Sequence, residues 1–229
     1  MAEQDNNLND QQTPEVLEDS LSKTEVLLEE NKDVISKVLI GIAIVIAGYF
    51  GYNNMFAEPA EQAALEEIWP AQKMFEQQLF DSASTEFEYI LENHGGTKAG
   101  NLAGLYLGIS QLQSGKFDEA LNSLESFDAE GKLSPGLKVG LIGDCHSELG
   151  DVDKAVENYK KAASLLDSKG VSPYYLKKAG ILLEQNGKSA DAVEVYKLAL
   201  NTYLSASAPS VQSVKTEMEM LLARAKASK

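Results

Sequence analysis

One spacing recurs through the second half of the chain and limits what it can fold into. The stretches LYLGISQLQSGKFDEALNSLESF (105–127), IGDCHSELGDVDKAVENYKKAA (142–163) and AGILLEQNGKSADAVEVYKLAL (179–200) share one pattern. Each reads glycine, six residues, glycine, four residues, alanine, then leucine or tyrosine four positions on. The positions are Gly108, Gly115, Ala120 and Leu124; Gly143, Gly150, Ala155 and Tyr159; Gly180, Gly187, Ala192 and Tyr196. A fainter copy, FEQQLFDSASTEFEYILEN, carries Phe80, Ala83 and Phe87, and the alanines at 83, 120, 155 and 192 lie 37, 35 and 37 residues apart. A period near 36 residues points to an array of stacked units before any other fold.

Each small residue has a physical reason to be small. Gly108, Gly143 and Gly180 fall where the first helix of a pair must let the second approach closely. Gly115, Gly150 and Gly187 end that helix in the left-handed conformation that a C-cap favours. Ala120, Ala155 and Ala192 mark the crossing of two helices, and Leu124, Tyr159 and Tyr196 are expected to fill the space between neighbouring repeats. This is the tetratricopeptide pattern. It predicts an all-α chain whose C-terminal body is a tetratricopeptide-repeat solenoid of three clear repeats and one degenerate repeat. A single unit cannot bury its apolar face alone, so the stack needs a terminal cap. The stretch 210–226, with Val211, Val214, Met218, Leu221 and Leu222 at helical spacing, is expected to be that closing helix.

The first quarter of the chain is of another kind. Residues 1–33 hold ten acids against Lys23 and Lys32, and their few apolar residues cannot offset the entropy of ordering. They are expected to form a disordered tail. Residues 38–52 read VLIGIAIVIAGYFGY, without a charge. Extended to 34–56, a helix of about 35 Å spans a bilayer core of roughly 30 Å. Lys37 can snorkel at one end, and Tyr49 and Tyr52 lie near the other. A cleaved signal peptide is excluded by the long acidic segment upstream, and a lipoprotein signal by the lack of a following cysteine. Lys23, Lys32 and Lys37 lie within about 15 residues of the upstream end of the span, and no Lys or Arg occurs from 57 to 72. The positive-inside rule therefore predicts a cytoplasmic N-terminus and a translocated body at 57–229. Gly41, Gly48 and Gly51 could allow helix contacts within the membrane, although they lack the four-residue glycine spacing.

Charge and composition remove several functions. The formal charge is −15, with 20 Lys and Arg against 35 Asp and Glu, which opposes a nucleic-acid surface. Cys145 is the only cysteine and His94 and His146 the only histidines. No intramolecular disulfide or cysteine-based zinc site is possible. His94, before Gly95 and Gly96, is expected to cap a helix end, and Cys145 and His146, being adjacent, point to different helix faces. Trp69 and Pro70 are expected to anchor the start of the body or to lie near a membrane surface. No catalytic residue, cofactor, metal or small-molecule substrate is expected.

The order of parts, an acidic tail, one anchor ending GYFGYNN and then tetratricopeptide repeats, resembles the YfgM-type ancillary subunits of the SecYEG translocon in their Bacteroidetes-like form. HGGTKAGNLAGLYLGISQLQSGKFDEAL (94–121) is similar to the segment joining the first two helix pairs of those proteins, and SPYYLKKAGILLEQNGKSADAV (172–193) to their last repeat. The resemblance covers roughly residues 30–205. It implies a protein of the bacterial inner membrane whose periplasmic repeats meet chaperones or emerging substrates beside the secretion channel, and it carries no catalytic residues.

In such arrays the first helix of each pair lines the groove. The groove candidates are Leu102, Leu105, Ile109 and Leu112 in the Gly108 unit, and Tyr174, Lys177 and Ile181, with Glu184 and Gln185, in the Gly180 unit. The first set is an apolar stripe. It is either a slot for a peptide or an amphipathic helix, or a surface covered by the preceding unit or the Ile68–Trp69 region. A clamp for a terminal carboxylate needs cations at matched positions, where Leu105, Ile109 and Gly140 stand instead. Three functions stay open: a translocon-associated scaffold, a periplasmic chaperone binding unfolded clients, and a scaffold for envelope assembly or cell division.

Overall fold

Apolar faces that can be buried only in pairs organise most of this chain. The computed structural model describes residues 31–132, 134–205 and 211–228; the expected acidic tail up to residue 30, and residues 206–210 ahead of the closing helix, lie outside the described residues. The chain divides into two units, Met1–Glu58 and Pro59–Lys229.

In the first unit, α1 (Lys32–Tyr52) leads into a π-helical turn, Asn53–Ala57. No residue of α1 is buried. Its 21 residues give about 31 Å, close to the thickness of a bilayer core. By length and composition this helix is long and apolar enough to cross a membrane.

The second unit is a run of helical hairpins. The pairs are α2 (Glu58–Glu76) with α3 (Phe80–His94), α4 (Lys98–Gln113) with α5 (Phe117–Ser126), α6 (Ser134–Glu148) with α7 (Val152–Leu166), and α8 (Ser172–Gln185) with α9 (Ser189–Thr202). The closing helix α10 is Gln212–Ala227. These are the four repeats and the cap that the sequence predicts.

The same turn joins the helices of every pair. Gly115, Gly150 and Gly187 have φ of 78°, 81° and 71°. The amide of the residue after each glycine donates back to a carbonyl five positions earlier: Lys116 to Gln111 at 2.8 Å, Asp151 to His146 at 2.8 Å and Lys188 to Leu183 at 2.9 Å. The glycine amide reaches the carbonyl three positions back, which completes a Schellman motif. The first pair makes the same turn without a glycine. Gln78 has φ of 60°, and Leu79 donates to Met74 at 3.0 Å.

The helix-crossing glycines are required by what lies against them. A Cβ on Gly108 would come within 2.7 Å of Leu124 Cγ, and one on Gly143 within 2.9 Å of the Tyr159 ring. At Gly180 it would enter the Tyr196 ring. Leu124, Tyr159 and Tyr196 thus pack on the glycine of their own repeat, and Leu124 and Tyr159 also face the next one, Leu124 against Cys145 and Tyr159 beside Tyr175 and Lys178. A further close contact between successive repeats is at Gly140, where a Cβ would strike Tyr175 of the next repeat.

Three apolar clusters follow along the array. Ile68, Ala71, Ala83, Phe87, Ala103 and Leu107 join the first repeat to α4. A small group, Ala120, Leu124 and Cys145, joins the second repeat to α6. A long continuous cluster from Ala155 to Ala225 holds the last two repeats and α10 together. The start of the array is also tied by a carboxylate. Glu61 accepts from the amides of Lys98 and Ala99 at 2.7 and 3.0 Å, and Thr97 accepts from Gly100 at 2.9 Å. Three of the free amides at the start of α4 are thereby satisfied.

Candidate partner-binding face

The first helices share a register, and it puts like residues at like places. Taking Ala71, Gly108, Gly143 and Gly180 as the crossing point, the residues six earlier are Leu65, Leu102, Leu137 and Tyr174. All four are exposed, by 53, 38, 40 and 50 %. Five residues after the crossing point stand Glu76, Gln113, Glu148 and Gln185, all exposed, each ending its helix. Eleven residues separate the members of each pair. That is just over three full turns, so both rows lie on one face, roughly 16 Å apart along the helix axis. The repeats therefore present an apolar row and a parallel row of carboxylates and amides.

A cleft opens between the repeats on this face, lined by Leu112, Gln113, Asp144, Ser147, Glu148 and Lys178 among others. Its far wall is a charged and aromatic group. The Tyr159 hydroxyl donates to Asp144 at 2.7 Å, and Lys178 bonds the same carboxylate oxygen. The Lys178 ammonium also lies 5.2 Å from the Tyr159 ring centroid and 5.4 Å from that of Tyr174. Burial, and then Asp144, pushes the Tyr159 phenol well above its ordinary pKa. The hydroxyl keeps its proton and acts as a fixed donor.

The next junction repeats this arrangement. The Tyr196 hydroxyl donates to Glu184 at 2.6 Å, and Arg224 of α10 donates to both oxygens of Glu184, at 2.9 and 3.1 Å. The guanidinium holds the Glu184 carboxyl below the usual range. Tyrosine, carboxylate and a cation from the following element form one device used twice.

The groove candidates divide accordingly. Leu102 and Tyr174 are exposed on the face, and Ile109 and Ile181 are half-buried there. Leu105 and Leu112 instead pack on the Ala120–Leu124–Cys145 cluster. Their cover comes from their own repeat and the following one, not from the preceding unit. Ile68 is buried in the first cluster, while Trp69 is 70 % exposed. Lys177 is tied to Glu217 of α10 at 3.1 and 3.3 Å, and Glu184 to Arg224, so both belong to the attachment of the cap. Leu65, Leu137, Asp144 and Lys178 were not among the candidates. The repeat register, counted from the crossing residue in every unit, would have found Leu65, Leu137 and Asp144; Lys178 stands two residues before its crossing glycine, at no candidate position, and is identified only by its bond to Asp144.

The other polar residues singled out have structural partners. His94 lies 3.2 Å from Glu67, and its carbonyl, rather than its imidazole, accepts from Thr97. His146 is buried, 3.6 Å from Asp151. No group of three or more His, Cys, Asp or Glu among the described residues is placed to hold a metal ion.

The family model for a tetratricopeptide repeat-like domain matches residues 60–178, just over half of the chain. Among solved structures, the TPR-like repeats of a kinesin light chain candidate from Podosopora anserina are similar, with a TM-score of 0.57 and 15% identity over 71% of this chain and 85% of that one. A substituted form of the same repeats matches with a TM-score of 0.57 and 14% identity, over 71% and 84%. At such identity the likeness is one of fold. No curated protein matches the chain.

Proposed function

Because the chain belongs to the tetratricopeptide repeat-like family, we propose that it is a membrane-anchored, non-catalytic scaffold that docks protein partners on the face of its first helices. The observation that carries this reading is the exposed row Leu65, Leu102, Leu137 and Tyr174, four large apolar or aromatic side chains at one register position of successive repeats. Isolated exposed apolar residues are ordinary, whereas an aligned set on one face marks an interaction surface. The fold typically serves interaction rather than catalysis.

The anchor in this reading is 34–56, the tail 1–33 is cytoplasmic, and the body 57–229 is periplasmic, resting on Lys23, Lys32 and Lys37 ahead of the uncharged run 38–52. The order of tail, apolar helix and repeats, with its resemblance to YfgM-type proteins, favours an accessory subunit of the SecYEG translocon in a bacterial inner membrane. Its repeats would link the channel to periplasmic chaperones or to secreted substrates.

A photo-crosslinking residue at Leu102 or Leu137 in intact cells tests this. Recovery of channel subunits or a single chaperone supports the scaffold. Diverse secreted precursors would instead support a chaperone that binds unfolded clients, a second reading favoured by the apolar character of the row. Division or envelope-assembly proteins would overturn the translocon assignment. Protease protection of the body in spheroplasts would overturn the orientation.

A further inference from the structure

We infer that the occupant of this face is an amphipathic helix with a basic edge, its apolar side on the Leu65–Leu102–Leu137–Tyr174 row and its lysines or arginines toward the Glu76–Gln113–Glu148–Gln185 row. The inference rests on the docking reading above and adds the chemistry of the partner.

Geometry supplies the first argument. The two rows are separated by eleven residues on every first helix, roughly 16 Å along the axis. A helix with its side chains is about 10–12 Å across. One such helix laid across the repeats covers the space between the rows, with a lysine or arginine stem left to reach the polar one.

Charge supplies the second. Lys138 donates to the carbonyls of Glu125 and Phe127 at 2.8 and 2.6 Å. Lys177 is bonded to Glu217, and Lys178 to Asp144. Lys73 is the remaining lysine between the rows, eight residues beyond Leu65 and so roughly 80° around the helix from it. The acceptor row consists of two carboxylates and two amides, all exposed at helix ends. Helix C-termini carry partial negative charge, which adds to the preference for a cation there. An acidic partner, or a chain ending in a carboxylate, would be repelled by Glu76 and Glu148, and in that row only the neutral Gln113 and Gln185 amides could donate to it.

The test uses the full chain in zwitterionic lipid nanodiscs, with empty nanodiscs subtracted. Fluorescence anisotropy is read with two 18-residue amphipathic peptides of one pattern, one of leucine and lysine and one of leucine and glutamate. The leucine–lysine peptide should bind at least tenfold tighter. Leu102→Asn with Leu137→Asn should weaken it tenfold or more. Glu76→Gln with Glu148→Gln should weaken it about fivefold and flatten its salt dependence. Glu76→Lys with Glu148→Lys should move the preference toward the leucine–glutamate peptide. All of these sites are exposed, and circular dichroism checks that each variant keeps its helices. Equal binding of the two peptides, or binding indifferent to both rows, overturns the inference. If in-cell crosslinks from Leu102 capture a partner while the leucine–lysine peptide fails to bind, the chemistry assigned to the partner is wrong and the docking face stands. If neither occurs, the docking reading itself falls.

Discussion

In the third and fourth repeats the aromatic ring behind the helix-crossing glycine ends in a hydroxyl, and in the first two repeats the same position is Phe87 or Leu124. The hydroxyl changes what holds the stack. Tyr159 and Tyr196 each donate to a carboxylate on their own first helix, and that carboxylate is bonded to a cation from the next element, Lys178 or Arg224. A fixed donor, a charge and a counter-charge join three helices at each junction. Phe87 and Leu124 can only fill space, and the junction after Leu124 buries a small cluster built on Ala120, Leu124 and Cys145. One repeat pattern therefore yields two kinds of joint: in the C-terminal half a tyrosine, a carboxylate and a cation meet behind the crossing glycine, and in the N-terminal half that place is apolar and the polar ties lie at the helix ends, from Glu61 to the Lys98 and Ala99 amides and from Lys138 to the Glu125 and Phe127 carbonyls.

The comparison is most exposed at the crossing glycines. Gly180→Ala drives a methyl group into a Tyr196 ring whose hydroxyl is pinned, and is expected to cost about 2–3 kcal/mol. Gly108→Ala meets Cγ and Cδ2 of Leu124, a branched side chain that no hydrogen bond holds in place. The higher helix propensity of alanine offsets about 1 kcal/mol there, so the net change should stay below about 1 kcal/mol. Urea unfolding of the two variants measures this, and equal losses would break the distinction. Ala155→Leu, at a fully buried helix crossing, should cost about 1–3 kcal/mol.

Tyr159→Phe removes one hydrogen bond to a charged group and should cost about 1.5 kcal/mol. In a double-mutant cycle with Lys178→Met the two losses should fail to add, because both side chains bond the same oxygen of Asp144. In the N-terminal half the sign reverses. Gln78→Gly relieves a left-handed glutamine at φ 60° and should stabilise by about 0.5–1 kcal/mol in a thermal melt.

The smallest expected effect is one of pH. Arg224 lowers the Glu184 pKa in the folded state, from an ordinary value of 4.5. That stabilisation is fully present above the ordinary value and is lost as pH falls through the depressed one. Between pH 6 and 3 the melting temperature of the native chain should fall further than that of Glu184→Gln. Parallel curves would remove the latch on α10.

Most of the fold was legible because glycine and alanine at fixed offsets report a steric need that little else can meet. The first repeat was faint because its two small positions are filled otherwise: Ala71 stands at the crossing and Gln78 accepts the left-handed turn. The face was legible in part. Leu102 and Tyr174 follow from helical periodicity, but periodicity cannot say that Leu105 and Leu112 turn into a cluster with Cys145, since that depends on the next repeat. Lys177 and Lys178 are neighbours in sequence, and only their partners, Glu217 and Asp144, separate the roles of the two. Those partners lie 40 and 34 residues away, a distance that no local pattern spans.

The buried thiol at the apolar joint makes that joint measurable. Cys145 is the only cysteine of the chain, has no exposed surface, and its pKa is pushed up to about 11 by burial and then by Asp144. A maleimide or a disulfide reagent needs the thiolate and a path to it, so it can modify the closed array only when the second and third repeats part. The modification rate of the unaltered chain is thus a clock for the opening of the seam between its second and third repeats, and slowing of that clock by a bound partner would report which repeats the partner bridges.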